Sequence, residues 1–208
     1  MAETIEGRLP LVAIVRGLEP ERAVAVGDVL VDCGFDIIEV PLNSPEPFVS
    51  IRALVDALGG RALIGAGTVL TQAQVDELAT IGAQLVVSPN CNPAVIRRTA
   101  THGMVSIPGV VTPSEMFAAL EAGATGLKIF PAEMVSPAII RAVRAVLPPQ
   151  VPLLAVGGIH AGNMGDYLAA GATGFGIGGS LFTSGKPLAD IAADARALVA
   201  AFKAARAG

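Results

Sequence analysis

At 208 residues the chain is long enough for one domain and at most two, and a core of that size buries roughly 70% of the unfolded surface without needing a disulfide or metal staple. Hydrophobic residues make up 52% of it and charged ones 15%, yet no unbroken apolar run reaches the ~18 to 20 residues of a membrane span. A net charge of -4, 14 basic residues scattered singly, one Tyr and no Trp exclude a basic stripe or an aromatic stacking platform for nucleic acid.

The opening MAETIEGRLP carries neither the basic region nor the apolar stretch of a signal peptide. Cys33 and Cys91 belong to no zinc-like spacing, so a reducing, cytoplasmic location is expected, with no metal and no cofactor. A short helix is predicted over residues 3–9. Short β-branched runs then alternate with amphipathic stretches, and eight strands are predicted at 11–17, 37–42, 62–69, 85–89, 105–108, 126–130, 153–157 and 174–178. Helix starts are signalled by EPER at Glu19, SPEP at Ser44, the capping box from Thr112 to Glu115, and SPAI at Ser136. A closing helix is predicted over 187–205.

Glycines at 34, 82, 103, 123 and 171 each stand just before a strand, where a left-handed residue ends the preceding helix. The βα unit thus recurs roughly every 20 to 25 residues. Eight such units with no interrupting linker predict a single (β/α)8 TIM barrel over residues 1–208, in preference to an open doubly wound sheet.

In such a barrel the chemistry sits at the C-terminal ends of the strands, where this sequence has few polar residues. Lys128 in GLKIFPAE alternates with Leu127 and Ile129, so it points inward if they face the helices. Desolvation there lowers its pKa, and a free amine can attack a ketone to give an iminium that accepts electrons from an adjacent C–C bond. The other possibilities are a solvated strand-end lysine or an internal salt bridge. Glu39 in IIEVPLNSP is inward by the same alternation, suited either to proton shuttling or to neutralising Lys128 or Arg16.

Arg16 offers a forked donor for a carboxylate or phosphate, or is an ordinary surface arginine. Thr68 adds a hydroxyl near it, or simply turns the chain. Gly157, Gly158, Gly178 and Gly179 follow the last two strands, where backbone N–H groups can approach an anion, or where tight turns need glycine. His102 and His160 stand singly and are assigned no role.

Across nearly the whole chain, PLVAIVRG, GFDIIEVPLNSP, ALIGAGTVL, LVVSPN, KIFPAE, AVGGI and GIGGSLF occur in an order that resembles the class I 2-keto-3-deoxy-6-phosphogluconate and 2-keto-3-deoxy-6-phosphogalactonate aldolases. The resemblance implies Lys128 as the Schiff-base lysine, Glu39 as acid/base, and Arg16 on the substrate carboxylate. It further implies Thr68, Pro89 and Phe130 at the pyruvate end, and Gly157, Gly158, Gly178 and Ser180 about the phosphate. The implied substrate is a phosphorylated keto sugar acid, and the implied assembly a homotrimer.

Gluconate-type members resemble EVTLRT after the glutamate and carry Thr before GGI. This chain has EVPLNSP and Val156, similar to the galactonate branch, and a lost hydroxyl near C4 would change the preference between epimers. Gluconate-type or 4-hydroxy-2-oxoglutarate cleavage is the alternative within the family. Outside it stand a phosphosugar isomerase-type barrel, with Glu39 as base and Lys128 as an electrostatic clamp, and a phosphate-binding barrel without catalysis.

Overall fold

The structure is a computed structural model and describes residues 7–207. Its strands are β1 Leu11–Ile14, β2 Ile37–Pro41, β3 Leu63–Gly67, β4 Leu85–Val87, β5 Val105–Ile107, β6 Gly109–Val110, β7 Leu127–Ile129, β8 Leu153–Val156 and β9 Gly174–Ile177. All pair in parallel, in the order β5-β4-β3-β2-β1-β9-β8-β7-β6.

The extra strand relative to the predicted eight is a break and not an insertion. Pro108 separates β5, which pairs with β4, from β6, which pairs with β7. Proline has no N–H for the ladder, but its carbonyl still accepts from Lys128 N at 2.9 Å. β5 and β6 therefore fill one barrel position, and the predicted strand 105–108 continues to Val110. The fold is a (β/α)8 TIM barrel.

Helices α1 Pro20–Asp32, α2 Pro47–Leu58, α3 Gln72–Ile81, α4 Pro93–Thr101, α5 Pro113–Glu121, α6 Pro137–Arg144, α7 Met164–Ala169 and α8 Leu188–Ala207 connect the strands and close the ring. The Thr112 capping box is present, and Thr71 with Gln74 forms a second. Gly34, Gly82, Gly103, Gly123 and Gly171 all take the expected positive φ, between 70° and 103°. The SPEP signal at Ser44 lies ahead of the helix start. α2 begins only at Pro47, and Glu46 before it, a position where proline disfavours the right-handed helical region, stands at φ 37°. The helix predicted over 3–9 lies in part outside the described residues, and the remainder is turn and coil.

Side-chain alternation divides the core into two layers. Val12, Ile37, Leu63, Leu85, Val87, Val105, Ile107 and Leu154 fill the barrel interior. Leu11, Ala13, Ile38, Val40, Ile64 and Ala66 face the helices on one side, and Leu127, Ile129 and Leu153 on the other. Each buried Leu, Ile or Val of these layers contributes about 1.5 to 3 kcal/mol. Among the described residues no helix is long and apolar enough to cross a membrane.

Candidate active site

Lys128 on β7 and Glu39 on β2 stand on opposite sides of the ring. Three barrel positions separate them in each direction: β1, β9 and β8 one way, and β3, β4 and the broken β5/β6 strand the other. Both side chains therefore point at the barrel axis from opposed walls and share one small chamber with Val12, Ile14, Val87, Ile107, Leu154 and Val156. Lys128 is 6% exposed and Glu39 2%.

The apolar walls act on both groups. Burial pushes the Glu39 carboxyl up to about 7, against the opposing pull of Lys128 and Arg16. Burial likewise lowers the Lys128 ammonium from its usual range; Glu39 resists this and Arg16 adds to it. Each group is driven toward its neutral form despite the other's charge. Oε2 of Glu39 is fully buried and accepts no hydrogen bond from the protein. The Lys128 Nζ lies 4.4 Å from the centroid of the Phe130 ring, where the π face favours positive charge at that nitrogen.

Room for the carboxyl comes from the neighbouring strand. Glu39 is in register with Gly65, and Gly67 lies two residues further along the same inward face. A Cβ on Gly67 would stand 1.7 Å from Glu39 Oε2 and 2.4 Å from its Cδ. The second glycine of GAGT is thus the cradle of the glutamate.

Above the chamber opens a cleft of about 630 Å³, within the usual range for a small-ligand site. Arg16, Phe130 and Val156 line it, with Gly157 and Gly158 after β8 and Gly178, Gly179 and Ser180 after β9. Ile14, Val156 and Gly176 line both the cleft and the chamber and so form the junction between them. Gly157 and Gly158 take φ 109° and 62°, which side-chain-bearing residues rarely adopt. Ser180 Oγ donates to the Ile159 carbonyl at 2.9 Å and ties the two loops together. After β9 the chain makes one hydrogen-bonded turn, with Phe182 N donating to Gly178 O at 2.9 Å.

Two of the site residues that the resemblance implies lie apart from this lining. Thr68, with φ 57°, and Pro89 cap the ends of β3 and β4, and neither lines the cleft or the chamber. Arg16 does reach the cleft, but from a turn: β1 ends at Ile14, short of the predicted residue 17.

A profile of the KDPG and KHG aldolases matches residues 3–196. The chain belongs to the KDPG and KHG aldolase family. A probable 2-dehydro-3-deoxy-6-phosphogalactonate aldolase of Rhizobium meliloti (strain 1021) is 52% identical over 199 residues, 96% of this chain and 94% of that protein. The 2-dehydro-3-deoxy-6-phosphogalactonate aldolase of Escherichia coli (strain K12) is 48% identical over 95% of this chain and 97% of its own. A solved structure described as native KDPGal superimposes with a TM-score of 0.96 at 46% identity, covering 98% of both chains. As a KDPG and KHG aldolase the chain is a carbon–carbon lyase.

Several neighbours of Glu39 and Arg16 carry no signal of their own in the sequence. Gly67, against Glu39, and Asn43, which accepts from Arg16, are singled out by no motif or spacing. His160, assigned no role, lines the cleft. Its Nδ1 accepts from Gly162 N at 3.2 Å, which leaves the neutral ring's proton on Nε2.

Proposed function

We propose that this chain is the class I aldolase that cleaves 2-dehydro-3-deoxy-6-phosphogalactonate to pyruvate and D-glyceraldehyde 3-phosphate, with Lys128 as Schiff-base nucleophile and Glu39 as proton carrier. The observation that carries this is the pair of opposed, buried side chains at the barrel axis, each pushed by apolar walls toward neutrality. A lysine so placed supplies the unprotonated amine that attack on a ketone requires.

The Lys128 amine adds to the C2 carbonyl, and Glu39 delivers the proton that lets the resulting hydroxyl leave as water. The iminium forms beside the Phe130 ring, whose face favours a cation. Removal of the C4 hydroxyl proton then sends the C3–C4 bonding pair into the iminium, giving an enamine and free glyceraldehyde 3-phosphate. Protonation of the enamine at C3 and addition of water release pyruvate and the amine. A carboxyl titrating near 7 can both give and take protons at neutral pH.

In this reading Arg16 receives the substrate carboxylate, and Thr68 and Pro89 close the pyruvate end from their strand tips. The glycine loops with Ser180 hold the phosphate. Incubation with pyruvate and borohydride is expected to fix a reduced adduct on Lys128 and on neither of the other two lysines, Lys186 and Lys203. An unlabelled Lys128 peptide would exclude the Schiff base and favour an isomerase-type barrel.

Preference for the galactonate epimer rests on Val156. C4 lies between the carbon bonded to Lys128 and the phosphate, and Val156 stands at the junction of chamber and cleft. Val156→Thr is expected to move the ratio of kcat/KM for the two C4 epimers toward the gluconate form by roughly tenfold, from one added hydroxyl partner. Parallel cleavage assays on both epimers measure it, and an unchanged ratio would remove Val156 from the specificity argument.

We also infer a cytoplasmic homotrimer acting on a small phosphorylated keto sugar acid without metal or cofactor, as one domain. Met134, Ile139 and Val146 leave apolar surface around α6 that a neighbouring subunit could cover.

A further inference from the structure

We propose that Asn43 is a positioning residue for Arg16: its neutral amide oxygen fixes the guanidinium at the cleft while leaving the full positive charge to the substrate. This rests on the proposed reading that Arg16 receives the substrate carboxylate. Arg16 lies two residues beyond the end of β1, on an exposed turn, where a long side chain has many rotamers and nothing in the strand to select one.

The selection comes from the loop after β2. Val15 N donates to Glu39 O at 3.1 Å, and Gly17 N donates to Ser44 Oγ at 3.0 Å. Between those two ties, Arg16 Nη1 donates to Asn43 Oδ1 at 2.5 Å. Ser44 N in turn donates to Pro41 O at 2.9 Å, so the loop that presents Asn43 is itself folded onto the end of β2. Three consecutive residues of the first βα turn are thus held by the strand that carries Glu39 and by its loop.

The partner's chemistry matters as much as its place. Occupying Nη1 leaves the Nε–Nη2 edge, which can meet a carboxylate through two parallel hydrogen bonds. An amide oxygen orients the fork without cancelling its charge. An aspartate at 43 would hold the fork at least as firmly but neutralise it, competing with the substrate carboxylate for the same cation.

Positioning by a neutral acceptor therefore predicts an order of effects that simple structural support does not. Asn43→Ala is expected to raise KM for cleavage, and the half-saturating pyruvate in borohydride trapping, roughly threefold to tenfold, with kcat within about twofold. Asn43→Asp is expected to raise both by more than about tenfold although its melting temperature is no lower than that of the unsubstituted chain. In an Arg16→Ala background Asn43→Asp is expected to add nothing.

Asn43→Asp binding pyruvate as the unsubstituted chain does, or weakening it equally in the Arg16→Ala background, would overturn the proposal. If Arg16→Ala itself left both constants unchanged, the carboxylate role of Arg16 would fail and the proposal with it. If Arg16→Ala raised them while Asn43→Asp did not, only the role of Asn43 would fall.

Discussion

Gly67→Ala is expected to cost two to four orders of magnitude in kcat, the usual weight of a positioned general acid/base, while leaving the cleft above it intact. The added methyl would stand 1.7 Å from Glu39 Oε2, far inside any possible contact, so one of the two must move. Gly67 is held in the sheet by its neighbours, in register with Pro41, whereas the carboxyl is the free end of a side chain. Glu39 therefore yields, and the chamber it can move into is the one that holds Lys128. Overpacking of this kind destabilises by about 1 to 3 kcal/mol, which a denaturant titration reads separately from the loss of turnover.

A double-mutant cycle isolates the cause. Glu39→Asp withdraws the carboxyl from Gly67 and is impaired by itself, so adding Gly67→Ala to it is expected to cost little more. Gly165→Ala in α7, where a Cβ meets nothing within 4 Å, should keep full activity as the steric control. Near-normal turnover in Gly67→Ala would mean that Glu39 is not the proton carrier or that its place in the chamber is not critical.

The contrast between Glu39 and Gly67 explains what the sequence could reveal. Lys128 and Glu39 were legible because a strand's period of two assigns a face to every residue, and an inward charge between apolar neighbours stands out. Helix ends were legible for a similar reason: a left-handed cap needs glycine within a few residues of where the helix stops, so cause and signal are adjacent in the chain. Gly67 serves a side chain 28 residues earlier, and Asn43 one 27 residues earlier, and neither dependence leaves a local trace. β1 stops at Ile14, short of the predicted residue 17, because the chain turns there to meet the loop after β2, a contact that the β-like composition of AIVRG does not reveal. The break at Pro108 was visible as a proline, but that the strand resumes beyond it depends on Lys128, whose N–H takes the proline carbonyl. The opposition of Lys128 and Glu39 across the axis followed only once the ring had closed with eight positions.

Glu39→Gln should separate catalysis from stability in opposite directions. Turnover is expected to fall by about two to four orders of magnitude, since an amide cannot carry the proton. Stability is expected to change with the opposite sign and only above a certain pH. The Glu39 carboxyl titrates at about 7 in the folded chain against 4.5 for an ordinary glutamate. Below 4.5 both the folded and the unfolded state hold the proton, and the group is neutral to folding. Between 4.5 and 7 the unfolded chain releases a proton that the folded chain keeps, so stability falls as pH rises. Above 7 both have lost it and the folded state bears the whole cost of a buried carboxylate, on the order of 3 kcal/mol. Glutamine does not titrate, so this slope disappears in the variant. Part of the gain passes to Lys128, which loses the attraction that had held its pKa up, so the net stabilisation at pH 8 is smaller than the full cost. Urea titrations at pH 4.5 and pH 8 should find the two proteins nearly equal at the first and the variant more stable at the second. A variant less stable than the unsubstituted chain at pH 8 would show that attraction between Lys128 and Glu39 outweighs their desolvation, and the neutral amine on which the chemistry depends would be lost with it.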